Sequence, residues 1–104
     1  VLSEDEENRL LREFKENGDL AAAQKLITSH LRLAVKIALT YRRYGLPTSD
    51  LISEANIGLM QAVKKFDINK NVRLSTYAIL WIKAALNDFV SENRHSSSAE
   101  KAIL

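Results

Sequence analysis

Only three glycines and one proline punctuate the 104 residues of this chain. So few turn-makers cannot supply the many tight connections of a β-sandwich or barrel, and the abundant Leu, Ala, Lys and Glu favour helices. The punctuation is also concentrated. Gly18 lies in "ENGD", Gly45 and Pro47 lie in "YGLP", and Gly58 lies inside an apolar period. The expected fold is all-α, a compact bundle of about four helices, and the length is that of one domain with a modest core.

The apolar spacing places the helices. Ser3 with Glu6 forms a capping box for a first helix, whose stripe is Leu10, Leu11 and Phe14 and whose end is Gly18. Asp19 caps a second, long helix in which Leu20, Ala23, Ile27, Leu31, Ala34, Ala38 and Tyr41 recur at the helical period until "YGLP". "TSD" at 48–50 offers caps to a third helix, with Ile52, Ala55, Leu59, Val63 and Phe66 on one stripe and Asp50, Glu54 and Asn56 largely wet. "DINKN" breaks the pattern, and Ser75 caps a fourth helix whose core stripe is Ala78, Ile82, Ala85, Leu86 and Phe89. That helix is expected to fray in the polar "RHSSSAEK" after Asn93.

Charge is segregated along the chain. Residues 1–19 carry net −4, residues 20–49 net +5 with no acid, residues 50–63 net −2, and residues 64–83 net +4. Such alternation predicts separate acidic and basic surfaces for different partners. The absence of cysteine removes disulfide and thiolate chemistry and fits a reducing cytoplasm. No apolar run reaches membrane-spanning length and no secretory signal is visible, so no membrane association is expected. Nothing supplies a nucleophile with its base, a metal set or a phosphate loop, so neither an enzyme nor a cofactor is expected. The sequence starts without Met and stops at "AEKAIL", as a fragment of a longer protein does.

The stretch "KKFDINKNVRLSTYAILWIK" gathers Lys64, Lys65, Lys70, Arg73, Phe66, Tyr77 and Trp81 within residues 64–83. Cations beside flat rings suit a ligand with negative charge and exposed faces, and single-stranded nucleic acid is such a ligand. Tyr77 and Trp81 follow a different stripe from Ala78, Ile82 and Phe89, so the core stripe does not require them. Ordinary half-buried packing accounts for the same spacing, and a solvated face accounts for Lys64 and Lys65.

"HLRLAVKIALTYRRYGLPTSDLISEANIGLMQAVKKFD" followed by "RLSTYAILWIKAAL" closely resembles region 2 of bacterial sigma factors of the sigma-70 family. "SHLRL", "YGLP" and "VRL" give it the flavour of the heat-shock sigma subgroup. The resemblance covers about residues 1–93. It implies an acidic helix at 1–17 from the end of region 1.2, a region 2 domain at 18–93, and a divergent polar tail at 94–104.

The resemblance further implies a domain that binds the β′ coiled coil of RNA polymerase core and captures the non-template strand of the promoter −10 element. By matched position, Tyr77 stacks a flipped base, Phe66 and Thr76 form the pocket wall, and Trp81 is the neighbouring platform. Lys70, Arg73 and Lys83 match basic positions that face DNA. His30 and Leu33 match positions near a second base pocket. Asp50, Ser53, Glu54, Asn56 and Met60 match the polymerase-binding helix. An anti-sigma factor or chaperone joins the implied partners.

The departures are specific. "DLISEANIGLM" stands where the family usually reads "DLIQEGNIGLM", which puts Ser53 in place of a Gln and Ala55 in place of a Gly. Leu80 stands where a Trp often precedes Trp81. Ala84 and Asn87 stand at promoter-reading positions, so the −10 sequence read should differ from that of the primary factors. A sigma-like decoy that binds a regulatory protein without DNA is the alternative. The intact Phe66, Tyr77 and Trp81 set favours the promoter-binding reading.

Overall fold

A computed structural model of the chain describes the backbone of residues 2–103 and the side chains of residues 2–93. These residues form α1 (Glu4–Asn17), α2 (Leu20–Ser29), α3 (Leu31–Leu39), a 3-10 turn (Arg42–Tyr44), α4 (Thr48–Lys65) and α5 (Leu74–Ile103). No strand occurs among them. The expected all-α bundle is therefore the one observed.

Local chemistry explains most boundaries. Ser3 Oγ accepts from Glu6 N at 3.2 Å and opens α1. Gly18, at φ 65°, closes it. Gly18 N donates to Phe14 O, the bond of a left-handed helix ending, and Asp19 N donates to Glu13 O. Asp19 Oδ1 then accepts from Ala21 N at 3.0 Å and opens α2.

Four boundaries differ from the sequence expectation. The single long second helix is divided at His30. In an unbroken helix His30 N would donate to Leu26 O; here that carbonyl accepts from His30 Nδ1 at 2.7 Å and from Ser29 Oγ at 2.9 Å. His30 N turns instead to Ile27 O, and the axis breaks. At α4, Pro47 is the capping residue and no side chain caps the helix. Thr48, Ser49 and Asp50 form its first turn, where the Asp50 carboxylate suits the helix dipole. At α5 the cap is not Ser75 but a carboxylate from α1, since Leu74 N donates to Glu7 Oε2 at 3.1 Å. Finally, α5 does not stop after Asn93 but runs on to Ile103. Polarity alone does not end a helix, and no Gly or Pro follows Gly58.

The core draws on every helix: Leu10 and Leu11 from α1, Leu26 from α2, Ala34 and Ala38 from α3, Leu51, Ala55, Leu59 and Val63 from α4, and Leu74, Ala78, Ile82 and Leu86 from α5. Leu20, expected inside, is 75% exposed at the first position of α2. Ile52, Ala85 and Phe89 are only partly buried. Among the described residues, no helix is long and apolar enough to cross a membrane.

α1 braces the connection between α4 and α5. Glu7 is buried, and it accepts from Arg73 Nε at 3.2 Å, Arg73 Nη2 at 3.3 Å and the Leu74 backbone. At the other end of α1, Lys15 Nζ donates to the Lys64 carbonyl in the last turn of α4. An acid thus meets a helix N-terminus and a base meets a helix C-terminus, both favourable to the dipoles. The segment 66–73 is held between these two ties.

Candidate nucleic-acid interface

The segment 66–73 begins at Phe66, whose extended backbone ends α4. Asp67 organises the turn after it: its Oδ1 accepts from Asn69 N at 2.9 Å and its carbonyl from Lys70 N at 3.1 Å. This Asx turn leaves Lys70 exposed.

Phe66, Tyr77 and Trp81 come together. The Phe66 ring is only 5% exposed and belongs to the core. Tyr77 meets it edge-on, with centroids 5.4 Å apart and planes at 70°. Trp81 follows at 6.1 Å and 59°. Tyr77 and Trp81 are partly buried and pack against the core. Both readings of these rings therefore have a physical basis: each has a packed side and an accessible side. The Tyr77 hydroxyl reaches Lys65 O only at 3.5 Å, the outer limit of a hydrogen bond.

Thr76, Leu80, Lys83, Ala84 and Asn87 lie on α5, and all five are exposed. Their spacing of three and four puts them on one face, flanked by Tyr77 and Trp81. The side chain of Asn87 is engaged from across the bundle, where Tyr41 OH donates to its Oδ1 at 2.8 Å. Arg73 is placed differently from Lys70 and Lys83. Its guanidinium is turned inward to Glu7 and to Leu2 O, at 3.1 Å from the latter.

His30 and Leu33 lie in a second place. With Leu2, Ser29, Arg73 and Ser75 they line an open cleft of about 490 Å³ between α1, the α2–α3 break and the start of α5. His30 is buried, so it contributes mainly as cleft wall.

The third group is on α4. Asp50 and Ser53 are exposed and Glu54 is partly exposed. Ile57 and Met60 are 44% and 46% exposed, unusual for large apolar side chains, and they extend the same stripe. Sequence reasoning singled out Met60 and missed Ile57, although it lies four residues after Ser53. Asn56 is not wet as expected. Its amide oxygen is enclosed with no hydrogen-bond partner. Glu7, Lys15 and Tyr41 were also missed as cross-helix partners, because nothing local in the sequence pairs residues so far apart. Among the described residues, no group of three or more His, Asp or Glu is placed to hold a metal ion.

Comparison with known proteins bears on this arrangement. Residues 26–96 match the Sigma-70 region 2 family. The chain is 57% identical over 90 residues to the RNA polymerase sigma factor RpoH of Zymomonas mobilis, covering 86% of this chain and 30% of that protein. It is 54% identical over 90 residues to the RpoH of Caulobacter vibrioides, with the same coverage. It is 50% identical over 93 residues to the RNA polymerase sigma-C factor of Myxococcus xanthus, covering 89% of this chain and 31% of that protein. The chain thus spans about a third of the length of the relatives it matches. With its helices, its aromatic–basic segment and these relatives in agreement, the chain belongs to the sigma-70 family as a region 2, in the company of heat-shock sigma factors.

Proposed function

We propose that this domain acts within a sigma factor in transcription initiation, holding RNA polymerase core through α4 and a melted −10 strand through the start of α5. The observation that carries the reading is the Phe66–Tyr77–Trp81 set beside the exposed Lys70, with Thr76, Lys83 and Asn87 on the adjoining face. A flipped base costs a few kcal/mol to extrude, and stacking on an aromatic ring returns roughly 1–3 kcal/mol. Stacking together with the sequence-blind attraction of the cations for phosphate supplies the binding energy that holds the open strand, and its setting is the cytoplasm. Residues 1–17 are read as the end of region 1.2, residues 18–93 as the functional domain, and residues 94–104 as a tail of its own. The cleft beside His30 and Leu33 takes a second base, with Arg73 as a part of its wall that Glu7 keeps in place.

The test is binding of the chain to labelled single-stranded oligonucleotides of varied sequence, with and without polymerase core. Lys70 contacts a phosphate in this reading. Lys70→Ala should lower the slope of log affinity against log salt by about 0.7, equally for every sequence. A loss confined to one base position, with the slope unchanged, makes Lys70 a base reader instead.

Asp50, Ser53, Glu54, Asn56 and Met60, now with Ile57, form the surface for the β′ coiled coil: carboxylates beside exposed apolar side chains between two basic stretches. Glu54→Lys should weaken association with that coiled coil about tenfold, the scale of one charge-assisted hydrogen bond. Single-strand affinity should be nearly unchanged. Ser53→Gln should tighten the same association. Equal coiled-coil affinity for wild type and Glu54→Lys refutes the assignment.

A further inference from the structure

Asn87 is exposed on the same face of α5 as Lys83, yet its amide is not free to turn. The Tyr41 hydroxyl, at the end of α3, donates to Asn87 Oδ1 at 2.8 Å. The Tyr41 ring is itself held. It packs against the core, and the Tyr44 ring lies 5.9 Å away. Burial, and after it the neighbouring Tyr44, raises the Tyr41 phenol above its ordinary value, so the hydroxyl stays a donor. With the hydroxyl donating to Oδ1, that end of the amide is drawn towards the end of α3 and the two Nδ2 hydrogens point elsewhere.

An asparagine amide is ambiguous by itself, since one end donates and the other accepts. In the major groove, guanine offers two acceptors and thymine one, cytosine offers a donor, and adenine offers one of each. An amide free to turn meets any of these edges. An amide locked with its donors outward favours acceptor edges and disfavours cytosine. We infer that Tyr41 is a positioning residue for promoter reading: it orients Asn87 so that the amide presents donors, and it thereby sets the base preference at the position Asn87 meets. The inference rests on the reading that Asn87 faces promoter DNA. It assigns the preference to a residue in the turn that follows α3, one that touches no base.

The experiment uses the full chain assembled on RNA polymerase core and measures dissociation constants for partly duplex promoter oligonucleotides. Each position of the −10 element carries each of the four bases in turn. Asn87→Ala should flatten the preference at one position. Tyr41→Phe, which keeps the ring and removes the hydroxyl, should reduce the preference at that same position about two- to tenfold, the worth of one neutral hydrogen bond. Other positions should be unmoved. The double variant should behave as Asn87→Ala alone. Asn87→Asp keeps the acceptor for Tyr41 and loses the donors, and it should abolish the preference with Tyr41 intact. If Asn87→Ala flattens a position that Tyr41→Phe leaves at full preference, the inference fails while the reading of Asn87 stands. If Asn87→Ala flattens no position, Asn87 does not face bases and both fall. A general loss of affinity in Tyr41→Phe, spread over all positions, shows a merely structural tyrosine and overturns the inference.

Discussion

Tyr77→Ala is expected to weaken binding of the preferred single strand by roughly 1–3 kcal/mol, about 5- to 150-fold, with a much smaller effect on folding. The asymmetry comes from placement. Tyr77 is partly buried and rests edge-on against Phe66, which lies inside the core at 5% exposure. Truncating Tyr77 removes an accessible ring and leaves its support standing. Phe66→Ala is the contrasting variant, because it removes a core side chain and should cost about 3–5 kcal/mol of folding stability. Tyr77→Phe should bind nearly as wild type, since the hydrogen bond its hydroxyl makes among the described residues is the marginal one to Lys65 O. Oligonucleotide affinity and thermal unfolding are measured on the same three variants. If Tyr77→Ala unfolds the domain while the folded fraction binds normally, the ring serves packing and not the strand.

That division of labour shows what the sequence disclosed and what it did not. Periodicity located the helical stretches, though not the break between α2 and α3, because helix faces are local. Ser3, Gly18 and Asp19 act where their positions suggested, since capping is settled within four residues. The aromatic set was legible for the same reason: Tyr77 and Trp81 are one turn apart on one helix. The misses that bear on the site are mostly non-local or competitive. His30 breaks a helix because a side chain takes a carbonyl that the backbone pattern assigns elsewhere. The α5 cap comes from Glu7, 67 residues upstream, so Ser75 looked sufficient. Arg73 matches a family position that faces DNA, and no local pattern showed that the buried carboxylate of Glu7 holds its guanidinium. A charged residue in a basic stretch is assigned safely only once its partner across the fold is known.

The same limit applies to Gly58, where the helical period gives no hint that a side chain is excluded. A Cβ built at Gly58 would lie 2.8 Å from Ile82 Cα, 2.8 Å from Trp81 O and 3.1 Å from Ala85 Cβ. Two of these are backbone atoms of α5, so no rotamer change relieves the contact. Two effects oppose each other in Gly58→Ala. Alanine is better than glycine in a helix interior by about 1 kcal/mol. Against that, α4 and α5 must separate along the most extensive helix pair of the bundle, opening gaps beside Leu59, Ala78 and Ile82. Overpacking of this kind costs about 1–3 kcal/mol, and each sub-water gap forfeits dispersion contacts as well. The second effect is larger, and Gly58→Ala should destabilise the domain by about 1–2 kcal/mol net, more for Gly58→Val. Binding should suffer with it. The crowded carbonyl belongs to Trp81, and a shift of α5 away from α4 carries Tyr77 and Trp81 together away from Phe66 at the end of α4, opening the 5.4 Å contact between the Phe66 and Tyr77 rings. Thermal unfolding and oligonucleotide affinity of Gly58→Ala should therefore fall together, whereas Tyr77→Ala lowers affinity almost alone. A Gly58→Ala domain as stable as wild type would show that the two helices do not approach so closely.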